Sequence, residues 1–169
     1  MPKTDVSTPT TGAWLDEEAR ELVVERTFNA PRELVFNAFT DREQLAKWWG
    51  PRDWPTTIKH MDVRPGGYWH YCMTGPDGTQ SWGKGIFVEI APPEKLVWTN
   101  VFSDADANTN EGLPESQITF VFTDLGDGKT KLSAIASYDS AEALQSVVEM
   151  GMVGGLSESL DKLEKQLAA

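Results

Sequence analysis

The sequence predicts an α+β fold in which a curved antiparallel sheet of about seven strands wraps around one long C-terminal helix. Three observations predict it. From Trp54 to Tyr138 apolar and polar residues alternate with a period of two, punctuated by short turn signals. From Ser140 to Ala169 the period changes, and Leu144, Val148, Met152, Leu156, Leu160, Leu163 and Leu167 form a continuous helical stripe. Neither that stripe nor an aromatic sheet face is stable in water, so each is expected to cover the other.

The elements follow in order. Residues 1–19 are rich in Thr, Pro and Asp and read as a flexible N-terminal tail, with Trp14 and Leu15 as its apolar anchors. Residues 20–169 read as a single domain. Glu21–Phe28 alternates as a strand. Asn29 is placed to cap the short helix that follows, and Pro31 suits its first turn. Leu34, Val35, Ala38 and Phe39 recur at helical spacing up to Thr40. Asp41 caps a second short helix carrying Leu45, Trp48 and Trp49, which Gly50-Pro51 stops. Six strands are then expected at about 56–64, 68–74, 81–90, 95–103, 115–124 and 129–138. The separators Pro65-Gly66-Gly67, Gly75-Pro76-Asp77-Gly78, Pro92-Pro93-Glu94 and Gly126-Asp127-Gly128 supply the positive or fixed φ that reversals need. They are short, so the pairing is antiparallel. Asp104–Pro114 reads as a mobile acidic loop over one end of the sheet. Ser140 caps the final helix, whose Gly151, Gly154 and Gly155 imply close packing or room for something bound. The result is a helix-grip architecture.

Composition excludes several function classes. The chain has 169 residues and a net charge of −11, so anionic membranes and nucleic-acid phosphates repel it. Seven Trp, seven Phe and three Tyr are too many for a disordered chain. No apolar stretch approaches a membrane span, and the first residues lack the apolar core of a signal peptide, which points to a cytoplasmic protein. One cysteine, Cys72, excludes an internal disulfide and a cysteine-based zinc cage.

Several motifs in combination resemble the START-like (SRPBCC) superfamily, in its branch similar to the C-terminal domain of the activator of Hsp90 ATPase. They are Phe28-Asn29-Ala30-Pro31, Val35-Phe36, Phe39-Thr40-Asp41, Leu45-Ala46-Lys47-Trp48-Trp49-Gly50-Pro51, Asp62-Val63-Arg64-Pro65-Gly66-Gly67 and Pro92-Pro93-Glu94-Lys95-Leu96-Val97. Gly151-Met152, Gly155, Ser159 and Leu160 complete the set. The resemblance runs from about Glu21 to the C-terminus and implies the helix-grip fold. Its members include binders of lipids and other hydrophobic ligands, cyclases, hydrolase-like proteins and chaperone-associated modules, so it implies a scaffold more than a reaction.

Alternation selects the candidate site. Trp69, Tyr71, Met73, Phe87, Trp98, Asn100, Phe102 and Phe120 are expected on the concave face, with Met152 and Leu156 opposite them on the helix. Apolar walls with a few polar handles are the usual makeup of a small-molecule pocket, although the same rings also serve simply to fill a core. Trp48 and Trp49 are expected to seal the short helices onto the sheet, with a role at the cavity mouth open to one of them. Trp54 and Trp82 fit the convex side. His60, His70 and Cys72 lack the spacing of a metal or nucleophile set and read as two surface histidines and an inert thiol, so no metal and no cofactor are expected. Glu89 shares a face with Phe87 and is the best general acid or base if it points inward. The leading expectation is therefore a binder of a small lipid-like or aromatic molecule, with no nucleic acid, no membrane insertion and at most a homodimer. The alternatives are an enzyme using the cavity for acid–base chemistry through Glu89, Tyr71 or Asn100, and a chaperone-associated interaction module.

Overall fold

In the computed structural model, which describes residues 4–168, β1 (Thr4–Asp5) and β2 (Gly12–Asp16) already belong to the sheet. They occupy the stretch expected as a tail. β2 runs antiparallel along β3 (Glu21–Phe28), with Ala13 and Leu15 buried in the core. The physical reason is that β3 carries a row of backbone donors and acceptors on its outer edge, which a partner strand satisfies. Five residues were too few for an alternation signal to stand out from the Thr-rich context.

β3 buries Leu22, Val24, Arg26 and Phe28 on one face. α1 (Arg32–Thr40) starts after Pro31 in an extended conformation, with no side-chain cap, so Asn29 stands too early to serve. α2 (Arg42–Trp48) is capped by the Asp41 carboxylate, which accepts from the Gln44 N–H at 3.1 Å. The Trp48 indole is fully buried and donates to the Ala38 carbonyl at 2.8 Å, fixing the two short helices together. Trp48 thus joins the two short helices to each other, and Phe39, on which its ring packs at 4.7 Å, carries them onto the sheet through Phe120 and Phe122.

β4 (Thr56–Met61), β5 (Tyr68–Thr74), β6 (Gln80–Ala91), β7 (Lys95–Phe102), β8 (Ser116–Gly126) and β9 (Lys129–Ser137) follow as an antiparallel meander. The strand order β1-β2-β3-β9-β8-β7-β6-β5-β4 makes an open, curved sheet of nine strands among the described residues. The two beyond the expected seven are β1 and β2. The fold class is as expected, an antiparallel sheet gripping C-terminal helix.

That helix is in two pieces. α3 (Ala141–Glu149), whose cap Ser140 accepts from Ala143 N–H at 3.0 Å, ends at Met150. Gly151 turns the chain at φ +87°, a left-handed conformation that glycine adopts without penalty, and α4 (Met152–Ala168) resumes. The apolar stripe continues across the break, so its periodicity alone could not reveal it. α4 is fastened by Arg26, buried between β3 and the helix. Its guanidinium pairs with Asp161 at 2.5 Å and Glu164 at 3.2 Å, and donates to Thr11 Oγ1 at 3.1 Å. The N-terminal segment, β3 and α4 therefore share one polar node.

Candidate functional site

The concave face divides into a dry aromatic floor and an open cavity. Trp69 and Trp98 are fully buried and Phe87 nearly so; they form the floor, with Trp69 and Trp98 ring centroids 5.3 Å apart in a T-shaped arrangement and Trp98 4.8 Å from Phe120. Glycines in β6 make this possible. A Cβ on Gly83 would lie 2.6 Å from the Tyr71 hydroxyl, and one on Gly85 would collide with the Trp69 indole. The two glycines are thus beds for the rings standing opposite them in the β5–β6 register.

Beyond the floor lies a cavity of about 270 Å³. Tyr71, Met73, Asn100, Phe102 and Phe120 line it from the sheet, and Met152 and Leu156 line it from α4. Trp69, Phe87 and Trp98, expected in the same group, do not border it: they sit one layer deeper, where the rings consume the space. The Trp69 and Trp98 indole N–H groups are buried there without an acceptor among the described residues. Alternation gives the face a side chain points to, and not its depth. The remaining wall was missed by the sequence reading. Ala134 and Ala136 on β9 are too small to fill the space before them, and Gly155 on α4 borders it in close approach to Pro51, which a Cβ there would meet at 3.2 Å. Ser116, Ile118 and Tyr138 complete that side. The signal that could have found it is the pair of small residues Ala134 and Ala136, which alternation sets on one face of their strand. Trp49 also borders the cavity, while its ring meets Trp69, Trp98 and Tyr71 at 5.1–5.9 Å.

Few polar groups reach this space. Burial pushes the Tyr71 phenol up to about 12, although the Trp49 indole and the Asn100 amide beside it favour the phenolate. Tyr138 is also raised by burial, with Ser116 acting weakly against it, and its hydroxyl donates to the Met152 sulfur at 3.1 Å. Glu89 is not among these groups. A bulge between Phe87 and Glu89 shifts the alternation, so Phe87 turns inward and Glu89 stands exposed, 3.4 Å from the Lys95 ammonium. The best acid–base candidate of the sequence is therefore outside the cavity.

The convex face holds a second correction. His60 is exposed, but His70 and Cys72 are buried. The His70 ring stacks on Trp82 at 5.1 Å and its Nε2 donates to the Asp104 carbonyl at 2.9 Å. The segment expected as a loose loop is folded onto this face: Lys59 and Lys84 donate to the Ala105 and Ala107 carbonyls, each at 2.8 Å. The Asp104 carboxylate caps the turn by accepting from the Asn108 and Asp106 N–H groups, both at 2.9 Å, which lowers its pKa. Among the described residues no cluster of three or more His, Cys, Asp or Glu could hold a metal ion.

The family described as activator of Hsp90 ATPase homolog 1-like protein matches residues 29–168. The crystal structure of protein Ms6760 from Mycobacterium smegmatis is similar over 98% of this chain and 97% of that one, with 35% identity and a TM-score of 0.84. A solution structure of a protein from Arthrobacter aurescens covers 98% of this chain and 92% of its own, at 31% identity and a TM-score of 0.87. A protein from Silicibacter pomeroyi bearing the AHSA1 name shares the fold at 24% identity, with a TM-score of 0.70 over 88% of this chain and 97% of that one. No curated protein matches the chain.

Proposed function

This chain belongs to the family of activator of Hsp90 ATPase homolog 1-like proteins, within the START-like (SRPBCC) superfamily, and from that premise we propose that it binds a small hydrophobic molecule between the sheet and the C-terminal helices. The carrying observation is the 270 Å³ apolar-walled cavity beside a close-packed aromatic core. Protein interiors rarely leave voids larger than a water molecule. Here Ala134 and Ala136 border the space with side chains too short to fill it. Each ring on the wall offers a ligand roughly 2–3 kcal/mol of gross burial energy when half covered.

Calorimetry and thermal-shift measurements with long-chain alcohols, fatty acids and fused-ring aromatics test this reading. A ligand should raise the melting temperature of the wild type and have no effect on Ala134→Phe, whose added ring occupies the cavity. Absence of any shift across the panel, or equal shifts in both proteins, defeats the proposal.

The position of Glu89 favours binding over acid–base catalysis. The family description names the Hsp90 ATPase; among the described residues the exposed large apolar side chains, such as Leu34, Val88 and Leu125, are few and fall on separate elements, which argues against a chaperone docking face. The protein is therefore proposed to leave an Hsp90-type ATPase unstimulated in a coupled assay, and to be cytoplasmic and no larger than a homodimer by light scattering. No helix among the described residues is long and apolar enough to cross a membrane.

A further inference from the structure

We propose that the cavity takes its ligand uncharged: a hydrophobic molecule bearing a hydroxyl or carbonyl oxygen, with the carboxylate form of a similar skeleton excluded. This rests on the binding reading above and narrows it to a chemical class.

The walls carry the argument. Among the described residues that line the cavity there is no Asp, Glu, His, Lys or Arg. The titratable side chains on the wall are Tyr71 on β5 and Tyr138 just after β9, which face the cavity from strands well separated in the sheet, and burial keeps both phenols neutral. An ionised carboxylate entering this space would lose its hydration and meet no counter-ion, so it would be driven to take up a proton. An uncharged oxygen meets suitable partners instead. The Tyr138 hydroxyl is spent on the Met152 thioether at 3.1 Å, a weak acceptor that a ligand oxygen readily replaces. The Tyr71 hydroxyl, beside the Trp49 indole and the Asn100 amide, offers a second polar point.

The rim acts in the same direction. A side pocket shares Phe102 and Pro114 with the cavity and is lined by Glu111, Glu115 and Asp139. Of the nearby cations, Arg52 pairs with Glu158 at 3.7 Å, and Arg20 donates to the Asp139 carbonyl at 2.7 Å. With a net charge of −11, the approach of an anion is opposed at long range as well.

Two matched pairs of probes test the inference by calorimetry: 2-naphthol with 2-naphthoic acid, and 1-octanol with octanoic acid. At pH 8 the neutral member of a pair should bind at least a hundredfold more tightly than the acid. Between pH 6 and 8 the apparent affinity of the acid should fall about tenfold per pH unit, as its neutral fraction falls, while that of the alcohol stays constant. A Met73→Lys variant, which places an ammonium on the wall, should regain carboxylate binding if circular dichroism shows it folded. Equal affinities of acid and alcohol at pH 8 overturn the inference but leave cavity binding intact. No binding by any of the four probes overturns both.

Discussion

Tyr71 shows how one side chain ties packing to chemistry. Its ring stacks on Trp69 at 4.3 Å and its hydroxyl lies above Gly83, so burial controls its ionisation. The unfolded phenol ionises near 10 and the folded one at about 12. A raised folded value stabilises the native state fully below pH 10, and that contribution disappears as pH rises towards 12, because only the unfolded chain releases the proton. By linkage the loss is about 2–3 kcal/mol. Denaturant titrations from pH 9 to 12 should therefore show a steeper alkaline decline for the wild type than for Tyr71→Phe. Parallel curves would mean that the phenol is not desolvated. Gly85 supports the same floor from below. A methyl group there drives into the Trp69 indole and lies 3.2 Å from Trp98 Cδ1. Gly85→Ala should cost about 1–3 kcal/mol in urea unfolding, the usual penalty for overpacking. A change below about 0.5 kcal/mol would show that the indole can slide aside.

At the scale of elements, Arg26 decides how α4 meets the sheet. It is a charge in a buried position, satisfied by Asp161, Glu164 and the hydroxyl of Thr11. Burial opposes ionisation of Asp161, but the hydrogen bonds from Arg26 and Thr10 and the Arg26 charge outweigh it and lower its pKa. Removing the carboxylate leaves the guanidinium with one charged partner, the exposed Glu164, beside its neutral acceptors. Asp161→Ala should therefore cost about 3 kcal/mol in denaturant unfolding, whereas Arg26→Met combined with Asp161→Ala should recover much of that loss, since no buried charge is then stranded. If the double variant is no more stable than the single one, Arg26 is not the source of the cost. Sequence patterns made most elements legible, because β3 through β9 follow a period of two between Gly and Pro turns, and Asp41 and Ser140 cap as placed. Three features were not legible. β2 has only five residues, the α3–α4 break keeps the apolar stripe in phase, and the β6 bulge reverses the side on which Glu89 falls.

For the molecule as a whole, the face of each candidate site residue was legible but the shape of the cavity was not, because volume depends on which strands become neighbours. Ala134 on β9 matters as a wall only because β9 lies between β3 and β8, where its short side chain leaves space facing the C-terminal helices. Charge acts at the same scale. An excess of eleven acidic groups repels itself in the compact state, and salt screens this repulsion over a Debye length of roughly 8–10 Å at physiological strength. Salt also weakens ion pairs. Most pairs here, such as Lys95–Glu89 and Arg64–Asp62, are exposed and worth about 0–1 kcal/mol each, while the buried Arg26 is shielded from salt. Relief of repulsion should therefore win. Raising sodium chloride from 20 to 300 mM at pH 7.5 should increase stability by about 1 kcal/mol, or roughly 2–4 °C in melting temperature for a domain of this size. A fall in melting temperature over that range would mean that surface ion pairs contribute more to the fold than the net charge takes away.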